Sequence, residues 1–60
     1  MKNLRRYRRE KGYTQAELAK ALGVDQSAVC RWERGELKPA PSKLCKLIEL
    51  LGHNEAELNG

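Results

Sequence analysis

Leu4, Tyr7, Arg8 and Lys11 recur at i, i+3, i+4 and i+7, a helical stripe that begins apolar and ends in charge, so Arg8 is expected to face inward. Thr14-Gln15-Ala16-Glu17 has capping-box spacing: the Thr14 hydroxyl accepts a backbone N–H and the Glu17 carboxylate reaches back to the cap, while Tyr13 and Leu18 stand at hydrophobic-staple spacing. A second helix is predicted to start there and end near Leu22. Asp25 reads as the N-cap of a third, with Val24 and Val29 again at staple spacing. Glu36 to Pro41 carries two prolines and reads as a loop. Leu44, Leu47, Ile48 and Leu51 then mark a fourth helix, opening near Pro41 or Ser42 and stopping at Gly52. Asn54 with Glu57 predicts one last capped turn that tucks Leu58 onto the core.

Gly12, Gly23, Gly35 and Gly52 each follow a helical segment, where a left-handed residue ends a helix at little steric cost. Only Gly23, Val24 and Asp25 separate the second and third helices, a connection that suits a helix-turn-helix. Strand-like alternation, internal repeats and low-complexity blocks are absent. The expected fold is all-α, a compact four- or five-helix domain whose helix-turn-helix is formed by helices 2 and 3. Sixty residues make a single domain, 1–60, and a chain this short buries only about 60% of its unfolded surface, which disfavours a deep substrate cavity. No apolar run approaches the roughly 18 residues of a membrane span, and the opening segment is studded with Arg instead of a signal-peptide hydrophobic stretch, so a cytoplasmic location is expected.

Charge is unevenly spread. Residues 1–11 hold six bases and one acid, a local +5 within a net +4, so the remainder is slightly acidic. Such a segment favours polyanions, nucleic acid above all, although a dense Arg run is also what a solvated helix face looks like. Cys30 and Cys45 stand fifteen positions apart with one histidine, His53. No Cys-x-x-Cys or paired-His spacing supplies metal ligands, so no metal or other cofactor is expected, and the thiols read as structural or incidental.

Turning 100° per residue from Gln26 puts Ala28, Val29, Trp32 and Glu33 on one half of the third helix. Gln26, Ser27, Cys30, Arg31 and Arg34 fall on the other, which is short, polar and cationic. An amide and a guanidinium there can read adenine and guanine edges, and small Ser or Cys side chains let the helix approach closely; an ordinary solvated face would look the same. Glu33 on the inner half needs a partner, because an unpaired buried charge costs several kcal/mol. Arg8, on the inward stripe of the first helix, is the expected one, through a fork-to-carboxylate contact.

Arg8, Thr14-Gln15-Ala16-Glu17-Leu18-Ala19, Gly23-Val24, Val29, Trp32-Glu33-Arg34-Gly35 and Pro39 together resemble the Cro/repressor-type, or xenobiotic-response-element-type, helix-turn-helix family, from about Leu4 to Leu51. The resemblance implies a five-helix DNA-binding domain acting as a transcriptional repressor of phage, plasmid or bacterial origin, commonly as a homodimer. By position, Gln15 corresponds to the family's phosphate anchor, Gln26, Ser27, Cys30 and Arg31 to its groove-facing residues, and Arg8 with Glu33 to its interhelical ion pair. Cys30 departs from the polar residues often found at its position.

Two kinds of contact are then expected. Thr14 and Gln15 at the positive end of helix 2, with Arg34, Lys38 and Lys43 around the loop, grip phosphates; helix 3 reads sequence. Arg5, Arg6 and Arg9 point away from the core, with no assignment to DNA. One reading head touches few base pairs, so a homodimer on a pseudo-palindromic operator is expected, at least when bound, with Leu50 and the Leu58 segment as one candidate mating surface. The alternative is an antitoxin or bridging protein-interaction module using the same fold. Paired catalytic carboxylates and a phosphate-binding glycine loop are missing, so an enzyme is not expected.

Overall fold

The computed structural model describes all sixty residues, Met1–Gly60, as five α-helices without a strand. They are α1 (Leu4–Glu10), α2 (Gln15–Leu22), α3 (Gln26–Arg34), α4 (Pro41–Leu51) and α5 (Glu55–Asn59). No helix is long and apolar enough to cross a membrane. Every helix contributes to one core: Leu4 from α1, Leu18, Ala19 and Leu22 from α2, Val29 and Trp32 from α3, Leu47 and Leu51 from α4, and Leu58 from α5. None of these helices exceeds 11 residues, below the roughly 12–15 at which an isolated helix is even marginal, so their persistence depends on this shared burial.

Local chemistry sets the boundaries. Glu17 N–H donates to Thr14 Oγ1 at 3.0 Å and Thr14 N–H donates to Glu17 Oε1 at 2.9 Å, completing the expected capping box of α2. Asn54 and Glu57 make the same reciprocal pair at α5. The α2–α3 turn is the three expected residues, with Gly23 at φ 72°, a left-handed conformation open to glycine at least cost. Asp25 does hold the N-cap position of α3, but its side chain makes no capping bond, a departure from the sequence expectation; only its backbone carbonyl engages the first turn, accepting from Ala28 N–H at 3.0 Å. Pro41 opens α4 at its first turn, where a missing N–H costs nothing.

Long-range bonds then place the termini. The amino group of Met1 donates to the Trp32 carbonyl at 3.0 Å, and Asn3 N–H donates to the Leu58 carbonyl at 3.0 Å, so the first residues are strapped between α3 and α5. His53 stacks on Tyr7 with ring centroids 3.6 Å apart and lies 3.2 Å from Glu57 Oε2, fastening α5 to α1. Leu58 is wholly buried and so offers no exposed mating surface, since an apolar side chain consumed by the core has no area left for a partner; Leu50 packs against the core as a half-buried residue. The large hydrophobic residue that remains exposed is Leu37, in the α3–α4 loop.

The caps make stability pH-dependent. Bonds from the Thr14 backbone and side chain hold the Glu17 carboxyl below its ordinary 4.5, and the Asn54 backbone followed by His53 does the same for Glu57. A carboxyl lowered in the folded state stabilises above the unfolded pKa, and that contribution is lost as pH falls through the folded value. The urea midpoint should therefore decline as pH drops below 4.5. Glu17→Gln and Glu57→Gln, which keep the acceptor oxygen but remove the proton, should flatten that decline; an unchanged slope in the double variant would discard the assignment.

Candidate nucleic-acid interface

The inner half of α3 is where the angular argument put it. Val29 and Trp32 are buried, and Ala28 is half-buried against the core. Its opposite half is open: Gln26, Ser27, Arg31 and Arg34 are exposed and Cys30 is half-buried. Amide, hydroxyl, thiol and guanidinium groups thus share one helical face with no segment of the chain folded over it, and Arg31 enters none of the protein's ion pairs.

Glu33 fixes how that face is presented. Its side chain is 6% exposed, and Arg8 Nε donates to Oε2 at 2.7 Å. The expected pair is present, but the fork is divided: Arg8 turns a terminal N–H to the Tyr13 carbonyl at 2.7 Å instead of gripping both carboxylate oxygens. Oε1 is taken by Gln15 Nε2 at 2.9 Å, and Arg5 Nε stands 3.8 Å from the same oxygen. One carboxylate therefore joins α1, the start of α2 and α3, and no buried side-chain polar atom in the protein lacks a partner. Helical angles pointed to Arg8; the Gln15 contact was missed, because a wheel ranks faces on one helix but not the reach of a residue opening another.

The other expected phosphate ligands differ in availability. Thr14 is exposed, although its hydroxyl caps α2. Lys38 is exposed and outside every ion pair. Arg34 is exposed, with a terminal nitrogen 3.7 Å from Glu36 Oε2, beyond hydrogen-bond range. Lys43 is half-buried and donates to the Leu22 carbonyl at 2.9 Å, where a cation satisfies the C-terminal end of α2. Both thiols, Cys30 and Cys45, are free. Beside α3, Lys2, Arg5, Gln15, Cys30, Glu33 and Arg34 line an open cleft of about 500 Å³.

The family described as helix-turn-helix matches residues 4–58, and so spans α1 through nearly all of α5. An uncharacterized HTH-type transcriptional regulator, y4dJ, from Sinorhizobium fredii (strain NBRC 101917 / NGR234) is 39% identical over 56 residues, covering 93% of this chain and 73% of the relative. No solved structure matches.

Because Glu33 and Arg8 are 6% and 8% exposed, removing one strands the other away from water. Glu33→Ala should cost about 3–5 kcal/mol, whereas replacing both residues with apolar side chains of similar volume should cost clearly less. Urea midpoints of the two variants compare these directly; equal losses would show that the charge pair has no special part in holding the three helices.

Proposed function

The chain belongs to the Cro/repressor-type helix-turn-helix family and is a DNA-binding transcriptional regulator, and we propose that it acts as a cytoplasmic repressor that reads a pseudo-palindromic operator as a homodimer. The observation that carries this reading is the exposed outward half of α3 above a buried inner half. A helix of this width enters the major groove of B-DNA. Gln26 and Arg31 have the donor and acceptor chemistry for adenine and guanine edges, while Ser27 and Cys30 are small enough to permit close approach, with the Cys30 thiol suited to a thymine methyl.

Around this reading head, phosphate contacts set position. Gln15 carries a second amide N–H beyond the one given to Glu33, and Thr14 stands beside it at the positive end of α2. Arg34 and Lys38 extend their charges from the end of α3 and the loop that follows. Lys43 reaches a phosphate by exchanging the Leu22 carbonyl for it.

Size supports two copies. No dimension of the domain exceeds 23 Å, less than the roughly 34 Å between successive faces of the major groove, so one copy presents one head to one half-site. Its occupancy of an operator blocks transcription sterically.

Arg31→Ala should weaken the selected duplex by about 1–3 kcal/mol and relax preference at one base pair, with little effect on a scrambled duplex. Lys38→Ala should weaken both duplexes alike and reduce the salt slope by about 0.9 per bound copy. Duplexes selected from a random pool, titrated at several salt concentrations, provide the measurement. Identical behaviour of the two variants would refute the division of roles, and a footprint limited to one asymmetric half-site would refute the dimer.

A further inference from the structure

We infer that the cleft beside α3 seats a phosphodiester of the bound duplex, with Lys2 and Arg5 as DNA-contacting residues that extend the interface from the recognition helix onto α1. This rests on the reading of α3 as the groove-facing element and adds a phosphate site to it.

The cleft's charge is the first argument. Lys2, Arg5 and Arg34 bring three cations to its lining, against one carboxylate, Glu33. That carboxylate is already neutralised, with Oε2 taken by Arg8 and Oε1 by Gln15 at hydrogen-bond distance. Arg5 and Arg34 each have an acidic neighbour only at 3.8 and 3.7 Å, too far for a hydrogen bond, so their guanidinium donors remain free for an anion. Arg5 is 63% exposed and needs no burial of its own charge to reach one.

Position is the second. The same cleft is lined by Cys30, whose helical angle belongs to the groove-facing half of α3, and by Gln15 at the opening of α2. A duplex strand that leaves the groove beside Cys30 and passes Gln15 enters the cleft that Lys2 and Arg5 also line. The Met1 bond to the Trp32 carbonyl holds the chain's first residues against α3, which keeps Lys2 within this lining. The cleft is open and larger than a single phosphate, as a continuous backbone requires.

The outer arginines of α1 are arranged differently. Arg6 lies 3.8 Å from Glu10 and 5.6 Å from the Tyr7 ring centre, and with Arg9 and Glu10 it lines an adjoining recess that Lys2 and Arg5 also border, while neither Arg6 nor Arg9 lines the cleft beside α3. Contact to DNA accordingly ends at Arg5.

Duplex affinity measured across a salt series with Arg5→Gln, Lys2→Gln and Arg9→Gln tests this, since all three variants remove the same charge. Arg5→Gln and Lys2→Gln should each lower the salt slope by about 0.9 per bound copy, so that over a fourfold rise in salt the parent loses roughly threefold more affinity per copy than the variant. The loss should appear on selected and scrambled duplexes alike, with Arg9→Gln retaining the parental slope. Helical signal and thermal midpoint confirm that each variant is folded; should Arg5→Gln fail there, Lys2→Gln decides alone. A parental slope in the folded cleft variants, or an equal reduction in Arg9→Gln, overturns the site while leaving the reading of α3 intact. Absence of any salt-dependent duplex binding by the parent overturns both.

Discussion

A carboxylate in the interior of a 60-residue domain dictates where its neighbours must lie. Burying the Glu33 side chain is costly unless donors converge on it, and the chain supplies them from two other elements, Arg8 on α1 and Gln15 at the start of α2. Arg8 in turn anchors the segment between those helices through the Tyr13 carbonyl. Apolar packing alone tolerates sliding and rotation among short helices, since hydrophobic burial is not directional. The hydrogen-bonded carboxylate is directional, and it lies on the same helix as the exposed polar residues Gln26, Ser27 and Arg31. A small rotation of α3 that served the core equally well would break two short bonds to Glu33, so the angle at which Gln26 and Arg31 meet solvent is set by a buried charge on the opposite face.

The core does the complementary work. Val29 and Trp32 close α3 onto Leu18, Ala19 and Leu22 of α2, and the Gly23 turn holds the two helices at the crossing this packing needs. Lys43, from α4, satisfies the last carbonyl of α2. Each of these contacts joins elements too short to persist separately, so the exposed face of α3 is a property of the assembled domain and not of α3 itself.

How much of this could be read from the chain depends on whether the signal was local. Both capping boxes, the three-residue turn and the end of α4 at Gly52 are governed by residues within a few positions of one another, and all were legible. So was the meeting of Arg8 with Glu33, because two charges on otherwise apolar stripes have few ways to be satisfied. The divided Arg8 fork, the Gln15 amide and the capture of Lys43 by Leu22 were not, since each depends on how far one helix lies from another. Asp25 shows the converse: residue type suited the cap, yet the side chain does not make the bond. Leu58 joins the core as the last capped turn implied, which removes it from any mating surface, while Leu50, off the main stripe of α4, packs against that core only in part. The cleft was the least legible feature, because it exists only after the Met1 and Asn3 bonds, to partners 31 and 55 residues away, bring the N-terminal segment to α3 and α5.

Gln15 connects the internal network to the proposed external one. A free glutamine on a helix end loses rotamer entropy when it grips a phosphate, a cost of about 0.5–1.5 kcal/mol for a flexible side chain at an interface. Here Glu33 already holds the amide through one N–H, and the other remains to bond outward. The ordering is therefore completed on folding and not charged again on binding. Arg8 keeps Glu33 in place, so a residue of α1 with almost no exposed surface fixes the partner that holds the Gln15 amide. Through that relay, the pair that orients α3 also pre-sets the Gln15 amide, and the placement of both the exposed face of α3 and the proposed phosphate ligand beside it depends on one buried carboxylate.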